Sequence, residues 1–360
     1  MQKELNITEV QSWNFFDSLE RPIIIAGPCS AESEEQVFET ARQLKAQGIN
    51  LLRAGIWKPR THPNTFEGVG SEGLKWLNRV QRELGMKVTI EVAGERHVKE
   101  ALKAGIDMLW IGARTTANPF LMQEIADALR GVDVPVLVKN PVSPDIELWM
   151  GAIERLNQAG ITRLGIILRG FTPFSQMRYR NDPQWQLFVD MRQRCPNMLA
   201  FCDPSHMAGR REYIPEIAQK ALDLGFDGLM LESHICPECA LSDSAQQLKP
   251  CDLQTLLESL IVRDCGTSAD EELAELRAII DVLDDSIIEA LRQRMAISRK
   301  IGEYKRTHNL TILQQERWDK IISDVTERAA KAELDPHFVE EIFKAIHQSS
   351  IDCQTEVMKL

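Results

Sequence analysis

From about residue 22 to residue 263, short apolar runs rich in β-formers alternate with longer runs whose apolar positions recur at helical spacing. The strand-like runs are 23–29, 50–55, 87–93, 108–114, 134–140, 163–170, 199–205 and 228–234. Helical patterns such as EEQVFETARQLKAQG and IPEIAQKALDLG separate them. Several of these end at a glycine placed for a C-cap: Gly48, Gly85, Gly160 and Gly225. Eight strands alternating with helices predict a (β/α)8 TIM barrel. An open, doubly wound sheet fits the same count, but the polar positions favour the barrel. Cys29, Arg53, Glu91, Arg114, Lys139, Arg169, Asp203 with His206, and Glu232 all fall at the C-terminal ends of strands. In a barrel these ends converge on one mouth; in an open sheet they form a long solvated row.

From about residue 270 the pattern changes. Pro and Gly become scarce and three helices are predicted, over about 270–308, 313–333 and 336–358. In the first, Leu273, Leu276, Ile280, Leu283, Ile287, Leu291 and Ile301 keep mostly to steps of three and four. Such a stripe on a long helix cannot bury itself, so a homodimer through this region is predicted. The expected division is a barrel over 1–263, a linker over 264–269 and a helical domain over 270–360.

Composition narrows the class. With 44% hydrophobic and 26% charged residues, the chain is expected to be globular and soluble. No apolar run approaches the roughly 18 residues of a membrane helix, and the N-terminus lacks signal-peptide character, so a cytoplasmic location with no membrane partner is expected. The net charge of -11 argues against nucleic acid as a partner. Counting side chains, residues 1–263 carry 29 basic and 33 acidic groups, and residues 264–360 carry 13 and 20. The eight cysteines show no disulfide-scaffold spacing and are expected to be reduced. Within CPEC at 236–239, a lone CxxC suits an oxidation-prone thiol pair better than a zinc knuckle.

Arg53, Lys58, Arg114, Lys139 and Arg169 come from different strands but one end. A ring of local salt bridges is one account of them. The other is a site for phosphorylated, carboxylated metabolites, since Arg forks match such anions and Lys adds a point charge. Cys29, His206, Glu232 and Asp243 make a mixed sulfur, nitrogen and oxygen set suited to a divalent transition metal acting as a Lewis acid.

These residues lie in motifs. GPCS at 27–30, KPRT at 58–61 followed by Phe66-Glu67-Gly68, GAR at 112–114, DPSHMAGRR at 203–211 and LESH…ALSDSAQQL at 231–248 resemble the 3-deoxy-D-arabino-heptulosonate 7-phosphate (DAHP) synthase family, in its short-chain type I-beta branch. The resemblance implies that Arg53, Lys58, Arg114, Lys139 and Arg169 hold phosphoenolpyruvate, and that Pro59, Arg60 and Thr61 serve erythrose 4-phosphate. It implies one divalent metal ion, Mn2+ first among the candidates, on Cys29, His206, Glu232 and Asp243, with Lys58 and His206 counted as catalytic. A sister family making an eight-carbon sugar acid phosphate shares this barrel and usually has Lys-Ala-Asn-Arg where this chain has KPRT, so the four-carbon acceptor is expected. With roughly 22 residues before the first strand, no N-terminal regulatory domain is expected.

On the helices, Arg294 and Lys305 are eleven residues apart, three turns plus about 20°, and share a face. Ser350 and Gln354 share a face at i,i+4. Arg277 lies about 100° around from Arg294 and cannot easily serve the same pocket from the same chain. LRAIIDVLDDSIIEALRQR at 276–294, Lys305, and EIFKAIHQSSIDCQ at 341–354 resemble the helical chorismate mutase family. The resemblance implies chorismate and prephenate binding by Arg277 from a second copy, Arg294, Lys305, Arg317, Ser350 and Gln354, with Lys305 and Gln354 at the ether oxygen. Trp318 stands where that family has a Glu, which leaves a silent sensing and dimerisation module as the rival reading. Either way, prephenate or chorismate bound to the helices is expected to feed back on the barrel.

Overall fold

The computed structural model describes residues 7, 10, 11, 13, 21–58, 65–173, 177–263 and 271–359, with the backbone alone for Glu271 and Glu272. The chain separates into two compact units, Met1–Cys265 and Gly266–Leu360.

In the first unit eight parallel strands close a barrel in sequence order: β1 Ile23–Gly27, β2 Leu51–Arg53, β3 Lys87–Val92, β4 Met108–Ile111, β5 Val136–Lys139, β6 Leu164–Leu168, β7 Leu199–Cys202 and β8 Gly228–Glu232. Closure comes from β8 pairing with β1, with Ile23 opposite Gly228 and Gly27 opposite Glu232. This decides between barrel and open sheet. The helices are α1 Glu34–Ala46, α2 Glu72–Leu84, α3 Glu95–Lys103, α4 Ala113–Thr116, α5 Pro119–Ala128, α6 Ile146–Gln158, α7 Trp185–Arg194, α8 Pro204–Ala208, α9 Ile214–Asp223 and α10 Pro250–Ser259. Ser33, Asn118 and Asp145 cap α1, α5 and α6 by accepting from backbone N–H groups in the first turn, and Gly85 closes α2 in the left-handed conformation.

The core has two layers. Ile23, Ile25, Leu51, Met108, Trp110, Leu137, Ile167, Phe201 and Met230, with Trp13, form one cluster, and every strand but β3 contributes to it. The larger cluster lies between strands and helices. All eight strands stop short of the lengths expected from sequence, mostly at their C-terminal ends. Arg114 belongs to α4 and Ser205 to α8. Past those ends the backbone leaves the ladder, and Arg114, Arg169 and His206 there line the mouth. Gly27 permits the first such departure: a Cβ there would lie 2.1 Å from the Arg53 carbonyl oxygen.

The second unit comprises α11 Glu271–Thr307, α12 Gln315–Lys331 and α13 Pro336–Lys359. These bounds lie within two residues of the expected ones, although Asp270 and the linker 264–269 fall outside the described residues. α13 packs against both other helices. Toward the start of α11, Leu276, Ile279, Ile280, Val282, Leu283, Ile287 and Ile288 remain exposed. Among the described residues, no helix is long and apolar enough to cross a membrane.

Candidate active sites

The barrel mouth holds a cavity of about 200 Å³ lined by Lys58, Glu91, Arg114, Lys139, Arg169, Arg180, Asn181, His206 and Asp243, among others. Four of the five predicted cations therefore share one small space. The fifth, Arg53, is buried, with its Nη2 3.2 Å from Glu232 Oε1 and its guanidinium over the Trp110 ring. Its Nε and Nη1 are buried without a hydrogen-bond partner. Lys139 donates to Asp203 at 2.6 Å, so part of the cation cluster is paired with local acids. Both pairs are deeply buried, and deleting one member would strand a charge at a cost of about 3–5 kcal/mol. Pro59, Arg60 and Thr61 lie outside the described residues.

Donor atoms of Cys29, His206, Glu232 and Asp243 all lie within 4.8 Å of one another. Cys29 Sγ is 3.2 Å from Asp243 Oδ2 and from Lys58 Nζ. His206 turns Nδ1 toward Asp203 Oδ2 at 2.8 Å, while its Nε2 lies 3.6 Å from Glu232 Oε1. With Nδ1 turned to the Asp203 carboxylate, Nε2 is the ring nitrogen that faces the other donors, the orientation a metal-binding imidazole needs. Glu232 Oε1 is buried without a hydrogen-bond partner. Arg53 lies 3.2 Å from that oxygen without a hydrogen bond to it, so the oxygen keeps its lone pairs free toward the other three donors, and a thiol, an imidazole and two carboxylates gathered this closely fit a divalent ion.

Electrostatics point the same way. Burial pushes the Cys29 thiol up to about 12, with the Glu232 charge adding to the rise. Burial also works to raise Asp243 and Glu232, but His206 with Arg180, and His206 with Arg53, outweigh it and hold both below their ordinary values. Burial lowers Arg169 to about 10, and neighbouring Arg180 and Arg114 add to the fall. Crowded, desolvated cations of this kind favour a bound anion.

Two contributors are absent from the sequence reading, and a third, Asp203, appears there only by its place at a strand end. Arg180 donates to Asp243 at 2.9 Å and to Gln246 at 2.8 Å. Asn181 accepts from Arg169 and donates to the His206 carbonyl oxygen. Asp203 holds both His206 and Lys139. The run RYRND at 178–182, polar and following a strand, was the available signal for the first two. One expectation is corrected: Cys236 and Cys239 are joined in a disulfide, so these two of the eight cysteines are not free thiols. The bond forms where the CxxC reading anticipated oxidation, because the short loop brings both sulfurs together.

The helical unit has its own cavity, about 630 Å³, lined by Arg294, Lys305, Gln314, Arg317, Trp318, His347, Ser350 and Gln354 among apolar neighbours. Arg294 Nη1 donates to Ser350 Oγ at 2.5 Å, and Gln354 Nε2 to Ser298 Oγ at 3.2 Å. Lys305 donates to the Ile312 carbonyl oxygen at 2.5 Å. Burial lowers both Arg294 and Lys305. Arg277 is exposed and does not line this cavity. Trp318 stacks on His347 with ring centroids 4.0 Å apart, bridging α12 and α13.

Comparison with known proteins finds a match for each of the two units. The profile described as "DAHP synthetase I family" matches residues 17–264, and that described as "Chorismate mutase type II" matches residues 276–355. A phospho-2-dehydro-3-deoxyheptonate aldolase of Thermotoga maritima is 34% identical over 225 residues, covering 62% of this chain and 64% of that one. A 2-dehydro-3-deoxyphosphooctonate aldolase of Bordetella petrii is 30% identical over 277 residues, covering 71% and 95%. The crystal structure of a phospho-2-dehydro-3-deoxyheptonate aldolase (DAHP synthase) from Thermotoga maritima superposes with a TM-score of 0.64 at 28% identity, covering 79% of this chain and 78% of that one. With a closed barrel, a cluster of candidate metal ligands at its mouth and these matches, the chain belongs to the DAHP synthetase I family and carries a chorismate mutase type II domain after the barrel in sequence.

Proposed function

We propose that the chain is a bifunctional enzyme of the shikimate pathway, with a synthase over 1–263, a linker over 264–269 and a mutase over 270–360. The barrel condenses phosphoenolpyruvate with erythrose 4-phosphate to give DAHP and phosphate. The observation that carries this reading is a cluster of metal-type donors beside four cations in one small mouth. Arg114, Lys139, Arg169 and Lys58, with Arg53 beneath, hold the phosphate and carboxylate of phosphoenolpyruvate. Carbon 3 of phosphoenolpyruvate attacks the aldehyde, water adds at carbon 2, and phosphate leaves with C–O cleavage. Cys29, His206, Glu232 and Asp243 would hold a divalent ion, Mn2+ by preference, which when bound would supply Lewis acidity toward the aldehyde. Holding two anions in one desolvated mouth contributes proximity and charge stabilisation together.

The acceptor is the finer point, since similar proteins carry either the heptonate or the octonate name. KPRT at 58–61 favours the four-carbon aldose, with Arg60 and Thr61 on its phosphate. Coupled assays of phosphate release with erythrose 4-phosphate and with arabinose 5-phosphate decide it; preference for the five-carbon sugar overturns the assignment.

The helical unit rearranges chorismate to prephenate. Arg294 and Ser350 hold a carboxylate, and Lys305 and Gln354 meet the ether oxygen as its negative charge grows. Arg277 reaches the site of a second copy. Its absence from the cavity of its own chain and the exposed stripe on α11 support a homodimer. Mixing Arg277→Ala and Arg294→Ala chains and refolding them should restore roughly a quarter of wild-type mutase activity, because half the dimers in a two-fold mixture regain one intact site. No restoration indicates a single-chain pocket. Trp318 favours a second reading, a silent sensor, which a chorismate absorbance assay on the full chain separates from catalysis. Prephenate, or chorismate after it, is the proposed feedback inhibitor of the barrel. Phosphorylated substrates, which do not cross membranes unaided, favour a cytoplasmic location.

A further inference from the structure

We propose that the Cys236–Cys239 disulfide is a thiol–disulfide exchange site for a dithiol reductant, and that its redox state sets the metal affinity of the barrel. The inference rests on the metal reading above and goes beyond it.

Glu232 and Asp243, two of the four candidate ligands, bracket one loop, and the disulfide closes a short ring inside it. Cys239 is exposed and Cys236 half-buried, so a reductant reaches the bond from solvent. The other candidate-site cysteine, Cys29, is buried.

Two lines of contact join the ring to the ligands. On one side the Cys236 N–H donates to His234 Nδ1 at 2.9 Å, and His234 Nε2 lies 3.5 Å from Glu32 Oε2. Glu32 Oε1 accepts from the Leu241 N–H at 2.8 Å, two residues before Asp243. The neighbouring Ser242 hydroxyl is hydrogen-bonded to Ser30, beside Cys29. On the other side Glu238, within the ring, pairs with Arg211 at 3.5 Å. Arg211 in turn donates to the Gln247 carbonyl at 2.6 Å and the Ser244 carbonyl at 2.8 Å. Gln247 Oε1 accepts from the Cys29 N–H at 2.9 Å. Both lines end at residues flanking Asp243.

Asp243 itself sits at φ +48°, a left-handed conformation that Asp tolerates better than most non-glycine residues but that still costs energy, so the contacts of its loop help to hold it there. Opening the ring returns conformational freedom to that loop. The reaction balances as a two-electron exchange. A thiolate of the reductant attacks Cys239 Sγ, the S–S bond breaks, and Cys236 leaves as a thiolate that takes up a proton. The reductant's second thiol attacks the mixed disulfide, releases Cys239 as a thiol, and closes the reductant's own disulfide.

The test titrates Mn2+ against the full chain, oxidised or reduced with dithiothreitol and then freed of reductant, reading free Mn2+ by electron paramagnetic resonance. Reduction, verified by alkylation of Cys236 and Cys239, should raise the Mn2+ Kd about 10-fold, the low end of what losing outer support of metal ligands costs. The double variant Cys236→Ser, Cys239→Ser should match the reduced protein and ignore a disulfide-forming oxidant. Mutase turnover should not change. Equal Kd values for the two states of the wild type, or a variant that still responds to oxidant, overturn the exchange site while the metal reading stands. No Mn2+ binding in either state overturns both.

Discussion

The two sites differ in how their charges are supported. In the barrel mouth, cations meet carboxylates from other segments of the chain: Arg53 with Glu232, Lys139 with Asp203, Arg180 with Asp243. The helical cavity has a wall that is mostly apolar, and its two central cations, Arg294 and Lys305, meet a hydroxyl and carbonyl oxygens instead of carboxylates. The barrel mouth is a dense polar network within one chain, in which each group fixes its neighbours. The helical cavity is larger and sparsely charged, and the fourth predicted cation, Arg277, lies elsewhere on the surface of the chain. Chemistry that moves phosphate and joins two anions needs the first kind of site. A unimolecular rearrangement needs only shape and a few donors, which the second provides.

The sharpest way to break this contrast is to remove the metal. Chelation should abolish the synthase and leave the mutase untouched, because every candidate ligand lies in the barrel. Cys29→Ala and His206→Ala should behave alike. Measuring both rates on one chelated sample checks it; parallel loss of both would show that the two sites do not work separately. The converse cut is Lys305→Ala. It should raise the mutase barrier by about 2.7–4 kcal/mol, the scale of losing one preorganised donor to a developing oxyanion, with synthase turnover near normal. A mutase rate within a factor of two of wild type rules out the role proposed for Lys305.

What the sequence made legible follows the same division. The barrel strands were readable because their apolar runs are buried on both sides, and the four candidate ligands because each stood in a motif, three of them at or just past a strand end and Asp243 in the loop after β8. The ends themselves were drawn too long, since Arg114 and Ser205 look strand-like until the backbone turns them into short helices. Arg180 and Asn181 escaped because they lie on a loop, where spacing says nothing about which way a side chain faces. In the helices, periodicity gave the bounds within two residues. It also predicted that Arg277 would miss the cavity of Arg294, a consequence of helical geometry alone. The Trp318–His347 stack could not be foreseen, because it joins two helices whose relative rotation no local pattern encodes.

A smaller effect tests whether the two sites communicate. Under the proposed feedback, prephenate should inhibit the synthase of the full chain by a factor within the roughly 5–150-fold span of ordinary coupling energies, and barrel substrates should weaken prephenate binding by the same factor. Synthase rate against prephenate, for the full chain and for a chain ending near Arg263, measures it. Equal inhibition of the shortened chain places the effector in the barrel, and inhibition of neither leaves two enzymes that merely share a polypeptide.

The smallest effect concerns acid. Burial works to raise Asp203, but His206 and Lys139 outweigh it and hold its carboxyl well below the ordinary value. A carboxylate depressed in the folded state contributes stability that is fully present above its unfolded value, about 3.9, and is lost as pH falls toward the folded one. The metal-free barrel should therefore weaken as pH drops below about 4–5. The helical unit offers a contrast: its lowered carboxylates, Glu289 beside Arg292 and Glu341 beside Lys344, are exposed and screened, and such pairs contribute little. Hydrogen exchange read by mass spectrometry across this range separates the units. Barrel peptides should lose protection at higher pH than peptides of α12 and α13. In Asp203→Asn the barrel starts less stable, because Lys139 loses its carboxylate partner, but its remaining acid dependence should be flatter than in the wild type. An equally steep dependence in the variant would mean that other barrel carboxylates, not Asp203, set the acid limit.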